Sequence, residues 1–338
     1  MEVKEIKEIL GHRAYIVGGA IRNHLLKKEI KDLDIVIESE EKKFLAIIKN
    51  ISQKTSIFPL DRERGIYRIN ISDELTLDIS RSEEMKSDIE RRDFTINSLY
   101  IELKATKIKI DKNGFKLELK NEDIKDITGG LKDLKNKKIK AINENSLKDD
   151  PLRMIRAYRF AASFGFEIEN KTLDIIKGSK DLVANSAPER IRDELLKILE
   201  TNDSSRTLLH MSRTGLLFSI FPELKLQIKC AEVYYGKGGV FKHTLNVIRR
   251  LDILYEEPQR YLNLPLRLIE EAERERNAIK MAALLHDIAK PHKARFIKDR
   301  LRFFGHEEYG GVIAERMLRN LRYSNNDIKY IKTIISNH

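Results

Sequence analysis

The sequence predicts an α+β head followed by an almost purely helical remainder. Three observations carry this. Residues 1 to about 140 alternate short apolar strand patterns with helical ones. Beyond residue 146 the helical period runs on with little interruption. A glycine-rich stretch, YYGKGGVF at 234–241, then breaks the helical part in two. The organisation expected is a head over 1–140, a helical middle over 141–228 and a helical C-terminal module over 229–338.

Composition bounds the partners. The chain has 338 residues, with 64 Lys and Arg against 53 Asp and Glu, a net charge of +11. That excess favours a polyanionic partner, though ordinary soluble proteins share it at times. One cysteine, Cys230, excludes an internal disulfide and fits a reducing cytosol. The opening MEVKEIKEIL reads as a charged amphipathic helix and not as a signal peptide, and no apolar run approaches a membrane span. The expectation is a cytoplasmic protein with no membrane partner. The oligomeric state is not legible.

Taken in order, the head's strands fall near 14–17, 33–37, 66–71, 75–79, 98–103 and 115–119, with KNG at 112–114 punctuating the last hairpin. After the first strand, AYIV, come Gly18 and Gly19 and then the start of a helix at Ile21. A strand, a glycine pair and a helix start make a phosphate cradle, and equally a plain tight turn. In DLDIVIE, Leu33, Ile35 and Ile37 alternate with Asp32, Asp34 and Val36. The two carboxylates therefore share one face, about 7 Å apart. Like charges so placed call for a cation, and an oxygen-only pair suits Mg²⁺ completed by substrate phosphates. A solvated edge-strand face is the other reading. Asp78, in LTLDIS, is either a third acidic group or a bare polar strand residue.

RRDFTINSLY, 91–100, offers Arg91 and Arg92 as forked donors for phosphate and Asp93 as an acceptor for a sugar hydroxyl. Asn97 follows one helical turn later. The alternative is a surface helix capped by Asp93, with Phe94 and Ile96 buried. DITGGLKDL, 126–134, reads as a glycine turn capped and braced by Asp126 and Asp133, a hinge between head and middle. In DDPLRMIRAYRF, 149–160, Pro151 opens a helix and leaves Asp150 as its N-cap. Arg153, Arg156 and Arg159 line one ridge, as a basic solvated face or as ligands. Asp150 and Arg153 together present an acceptor and a forked donor, the pattern needed to read the edge of a base.

This ordered set, GGAIRN…DLD, RRDFTIN, DITGGLKDL, DDPLRMIRAYRF and PERIRDELLKIL, resembles the class II tRNA nucleotidyltransferase and poly(A) polymerase family over roughly residues 10 to 225. The resemblance implies a polymerase-beta-like nucleotidyltransferase head, a mixed sheet with helices, followed by an all-α neck and body. It makes Asp32 and Asp34 the Mg²⁺ ligands, with Asp78 a weaker catalytic candidate. It places Gly18, Gly19 and Arg22 at the triphosphate, with Arg91, Arg92 and Asn97 among the nucleotide-binding groups and Asp93 selecting ribose. Asp150 and Arg153, flanked by Arg156 and Arg159, would pair with the incoming CTP or ATP. Glu189, Arg190 and Glu194 would brace the neck helices. The partner implied is tRNA.

Three positions depart from the family pattern. Asn23 stands where an aspartate is common and Asp149 where a glutamate is usual. The third departure is a length. Only the ten residues RSEEMKSDIE, 81–90, separate Ser80 from RRDFTIN, where most CCA-adding members carry a far longer loop. A shortened loop resembles the members that add two cytidines and stop. Without a lever to shift the templating groups, the pocket stays set for C; Arg62, Glu63 and Arg64 are the residues placed to substitute for one. Complete CCA addition, poly(A) addition, and RNA binding on a non-catalytic scaffold stand as alternatives. Alarmone and uridylyl-transferring enzymes with a similar C-terminal module lack RRDFTIN and DDPLR.

The C-terminal module carries His243, the pair His286 and Asp287 in ALLHDIAKP, and His306 in FFGHEEYGG. Imidazole with carboxylate suits a transition metal or Mn²⁺/Mg²⁺. The pattern resembles the all-α HD phosphohydrolase domain, in which these four would hold the metal. That superfamily usually supplies a further distant aspartate, so the module reads as incomplete or differently ligated, with His338 as a weaker candidate. His12, His24 and His210 carry no assigned role.

Overall fold

The computed structural model describes residues 8–10, 13–62, 65–112 and 114–338. Most of the N-terminal amphipathic segment, His12, Glu63, Arg64 and Asn113 lie outside the described residues. The chain divides into two compact units, Met1–Ser146 and Leu147–His338.

The first unit is built on a six-stranded mixed sheet: β1 (Ala14–Val17), β2 (Asp32–Glu38), β3 (Phe58–Asp61), β4 (Ile66–Asn70), β5 (Thr76–Ser82) and β6 (Tyr100–Glu102), in the order β3-β4-β5-β2-β1-β6. Only β2 and β5 run parallel; the other pairings are antiparallel. The period of two decides what each face carries. Leu33, Ile35 and Ile37 of β2 and Leu77 and Ile79 of β5 point to one side. There they join Ile21, Phe44, Ile48 and Ile51 from helices Gly19–Leu25 and Glu41–Ser52 in the main core. The opposite side bears Asp32, Asp34 and Asp78. Part of it is covered by helix Met85–Glu90, whose Met85 and Ile89 pack on Val17 and Val36.

Several expectations change here. RRDFTIN forms no helix: Thr95–Asn97 is a short 3₁₀ turn, and all three of its residues are buried. The DITGGLKDL turn belongs inside the head and not at its border. Asp126 Oδ1 accepts from the N–H groups of Thr128, Gly129 and Gly130, and Oδ2 from that of Leu131. Asp133 accepts from Thr95 Oγ1 at 2.7 Å. Gly130 sits so close that a Cβ there would fall 2.1 Å from the Thr95 carbonyl oxygen. The turn braces the 3₁₀ segment. The strand β3 was not foreseen, and Lys107–Asp111 pairs with Gly114–Glu118 as a separate hairpin.

The second unit is helical, as expected, apart from the two-residue strand Glu167–Ile168 and an antiparallel hairpin of Arg295–Ile297 with Arg300–Arg302 within the C-terminal module. Helix Leu152–Phe164 has Pro151 at its N-cap, without a side-chain capping bond, so Asp150 does not act as the cap. The C-terminal helices are joined to the middle ones by a buried pair. Lys280, with no exposed surface, donates from Nζ to Asp252 Oδ1 at 2.6 Å and to the carbonyls of Leu199 and Thr201. Asp252 in turn accepts from Ser204 Oγ and the N–H of Ser205.

Candidate functional site

The acidic face of the head is assembled by strand register. Asp34 lies opposite Asp78 on β5, and Asp78 lies opposite Arg68 on β4. Asp78 takes a forked pair of bonds from Arg68, Nε to Oδ1 and Nη2 to Oδ2, both 2.7 Å. Asp32 accepts from Thr76 Oγ1 at 2.7 Å. Burial pushes Asp34 up to about 6. Arg92 and Arg68 pull it down, and the carboxylates of Asp78 and Asp32 push it further up. A carboxylate group under that strain, with oxygen donors only, fits a hard divalent cation such as Mg²⁺. Asp32 and Asp34 are placed to hold it. Asp78 is engaged by Arg68, which the sequence reading missed; the alternation in IYRIN puts Arg68 on the face of the aspartates.

Beside this face lies a network of polar side chains. Gly18, at φ 68°, donates its N–H to the Leu99 carbonyl at 2.9 Å. A Cβ on Gly18 would stand 2.8 Å from Arg92 Nη1, so the glycine is what lets the guanidinium lie over the turn. Arg92 is anchored by Asp88 at 2.8 Å, while Arg91 is exposed. Gly19 begins the following helix. Arg22 donates to Asn97 Oδ1 and, through Nε and Nη2, to Asn23 Oδ1. Asn97 Nδ2 donates to Asp93 Oδ1 at 2.8 Å. Arg22, Asp93 and Asn97 are each less than a tenth exposed. At Asn23, where the family pattern is departed from, the amide oxygen holds Arg22 and the NH₂ is anchored on the Glu29 carbonyl.

In the second unit the arginine ridge divides. Arg153 stays beside Asp150 (3.9 Å), which also accepts from Arg190 Nη2 at 3.0 Å. Arg159 donates to buried Glu194 at 2.5 Å, and Arg156 stands 3.8 Å from its other oxygen. Both guanidiniums lie over the Phe160 ring. The structure thus ties Arg156 and Arg159 to helix Pro188–Leu199, a bracing role where nucleotide binding was expected. Glu194 braces as expected, Arg190 joins Asp150, and Glu189 is exposed.

The C-terminal histidines converge. His243, His286, His306 and His338 all direct Nε2 at the fully buried Asp287, at 3.7, 3.1, 3.4 and 3.4 Å. The Nδ1 atoms of His286, His306 and His338 lie 2.6–2.8 Å from the carbonyls of Ala283, Phe303 and Ile335, which sets the tautomer and leaves Nε2 as the ligand atom. Asp287 Oδ1 is buried without a hydrogen-bond partner among the described residues. Burial pushes Asp287 up, but His286, His338 and Lys290 hold it far below the usual carboxylate range. Two triads, His243/His286/Asp287 and Asp287/His306/His338, have donor atoms close enough to hold a metal ion. Lys290, bonded to Asp287 at 2.7 Å and to Tyr235 Oη, was not singled out by the sequence, nor was His338 given its full weight.

Comparison with known proteins places these features. Residues 14–140 match the model of the poly A polymerase head domain, 165–228 that of the probable RNA and SrmB-binding site of polymerase A, and 240–338 that of the HD domain. A CC-adding tRNA nucleotidyltransferase of Thermus thermophilus is 30% identical over 333 residues, 96% of this chain and 68% of that protein. The chain belongs to the tRNA nucleotidyltransferase and poly(A) polymerase family. An A-adding tRNA nucleotidyltransferase of Deinococcus radiodurans is 28% identical over 334 residues, with the same shares covered. A solved CCA-adding enzyme with ATP shares the fold, at a TM-score of 0.56 and 20% identity over 99% of this chain and 78% of that one. As a member of the family the chain is an RNA nucleotidyltransferase, and the acidic face of its head is the feature that fits such chemistry. No helix among the described residues is long and apolar enough to cross a membrane.

Proposed function

We propose that the protein extends the 3′ end of immature tRNA by two cytidines, using CTP and no nucleic-acid template. In this reading residues 1–140 carry the chemistry, 141–228 select the nucleotide and bind RNA, and 229–338 form the HD module. Asp32 and Asp34 hold Mg²⁺, which when bound lowers the pKa of the RNA 3′-hydroxyl and neutralises the pyrophosphate. Arg92, over Gly18, and Arg22, held by Asn23 and Asn97, supply fixed donors for the triphosphate. Asp93, which accepts from Asn97, selects ribose over deoxyribose. Asp150 and Arg153 present acceptor and donor to the base.

One observation carries the restriction to cytidine. The span 81–90 contains no free loop: β5 runs to Ser82, and after two residues helix Met85–Glu90 begins, with Met85 and Ile89 buried. A lever able to re-aim Asp150 and Arg153 from C to A has no place there. The Thermus relative's CC-adding name agrees; the Deinococcus relative's A-adding name points instead to addition of the terminal adenosine, and complete CCA addition is the alternative. Incubating purified protein with a tRNA lacking its CCA end, and CTP or ATP alone or together, decides it. Two added cytidines followed by a stall are expected. Efficient addition of one adenosine to a tRNA ending in CC overturns the restriction, and a long adenosine ladder points to poly(A) synthesis.

A second activity has its own support. A cleft of about 740 Å³ beside the histidine cluster is lined by Lys290, Arg300, Arg302 and His306 with Tyr234 and Phe304. Lys290, Arg300 and Arg302 next to a metal-capable cluster suit a phosphoester, with Asp299 and Glu307 also on the lining. Hydrolysis of bis-p-nitrophenyl phosphate in Mn²⁺, lost in Asp287→Ala, is the expected result; no turnover with any divalent metal overturns it.

A further inference from the structure

The helix that carries Arg153 has a second working side. At roughly 100° per residue, Tyr158, Ala161, Ala162 and Gly165 lie on the side away from Arg153 and Arg156. They form one wall of a cavity of about 370 Å³, closed by Phe166 to Ile168, Leu173 and helix Ser204–Thr214. That volume lies in the range of small-ligand pockets, enough for one nucleotide and too small for a duplex.

The lining has three chemistries. Ala161, Ala162 and Phe166 contribute apolar lining, and Gly165 leaves open space where a side chain would stand. Arg206, His210 and Arg213 follow at i, i+4 and i+7, so one stripe of the second helix lines the cavity. Arg206 and Arg213 are exposed, while burial pushes His210 down and keeps it a neutral ring. Asp203, 3.9 Å from Arg206, and Glu167 add carboxylates to the lining. Apolar lining, carboxylates able to accept from an exocyclic amine and two exposed guanidiniums together match one unpaired nucleotide. A plain apolar void would lack the charged stripe, and a solvated helix face would not be concave.

We infer that this cavity is a second RNA site, taking one unpaired nucleotide of the bound strand, with its base against Ala161, Ala162 and Phe166 and its phosphates along Arg206 and Arg213. The exposed position of both arginines is where a continuing backbone runs, which favours an RNA strand over a free nucleotide. The inference rests on the RNA-directed activity proposed above.

The test uses the whole chain and a tRNA transcript lacking its CCA end. Affinity is read by fluorescence anisotropy, and nucleotide addition is read separately at saturating tRNA. Ala161→Trp fills the cavity; the double variant Arg206→Gln/Arg213→Gln alters only exposed side chains. Ala161→Trp should weaken tRNA binding about five- to a hundredfold, the range of one base stack. The arginine variant should weaken it and flatten the slope of log affinity against log salt by about 1 to 2. KM for CTP and the rate at saturating tRNA should not move. Wild-type affinity and salt slope in the arginine variant overturn the inference, as does a raised KM for CTP, which would make the cavity a free-nucleotide site. If wild-type protein adds nucleotides while both variants behave like it, only the cavity falls; if wild-type protein neither binds tRNA nor adds nucleotides, the parent reading falls with it.

Discussion

Asp34 shows how a buried carboxylate works against the stability of the protein that carries it. Its folded-state value, about 6, lies above the ordinary 3.8. Between those values the folded state keeps a proton that the unfolded chain releases. The metal-free protein therefore loses stability as pH rises through that window, by roughly 3 kcal/mol at most, and does not recover it above pH 6. Asp34→Asn should remove this loss. In EDTA at pH 7.5 the variant should unfold at higher urea than wild type, and the gap should close by pH 4; equal midpoints at pH 7.5 would contradict the assignment. The same variant, like Asp32→Ala, should leave less than a few per cent of nucleotide incorporation while tRNA still binds. The two aspartates were legible because a period of two needs only one strand to be read. Arg68 was not, because an arginine in RIN finds Asp78 only once two strands pair.

Among the elements, helix Leu152–Phe164 separates two kinds of arginine that look alike in sequence. Arg153→Ala should lower discrimination for CTP with little change in tRNA affinity. Arg159→Ala strands Glu194, which is almost wholly buried, and should cost the second unit about 2–4 kcal/mol, seen as a lower melting temperature. A matching loss of selectivity in Arg159→Ala would return it to the nucleotide site. In the head, Gly130→Ala would drive a methyl group into the Thr95 carbonyl and should destabilise by on the order of 3 kcal/mol in urea unfolding, whereas Gly65→Ala, with no atom near its Cβ but a φ of 63°, should cost only the roughly 1 kcal/mol of a left-handed alanine. The elements missed from sequence share a physical cause. Strand β3, FPLD, is an exposed edge carrying Pro59, which breaks the usual strand pattern. The hairpin at 295–302 turns through Lys298 and Asp299 at φ 48° and 59°, a conformation expected of Asn-Gly and unannounced by Lys-Asp. RRDFTIN looked helical because Asp93 and Asn97 are four apart, yet the bond between them closes a 3₁₀ turn instead.

At the level of the molecule, the composition and motif order were enough to name an α+β head and a helical remainder, since both depend on local periodicity. The convergence of four histidines on Asp287 from positions nearly a hundred residues apart depends on tertiary packing, and sequence could supply only its members. The buried Lys280–Asp252 pair was wholly invisible, because nothing local distinguishes a lysine that will lose all its water. Lys280→Met should leave Asp252 buried without its partner and lower the stability of the second unit by roughly 3–5 kcal/mol, with the head's own transition unmoved in calorimetry.

That same lysine bears on where the chain can be cut. Its ammonium group closes the end of a helix of the middle segment, and its partner Asp252 closes the start of the next, so two residues of the C-terminal module finish work begun around residue 200. A gene shortened after residue 228 would encode a middle segment with open helix ends and an exposed apolar flank. A cut there therefore removes the partners of the Leu199 and Thr201 carbonyls and of the Ser205 N–H, whether or not the histidine cluster turns over a substrate.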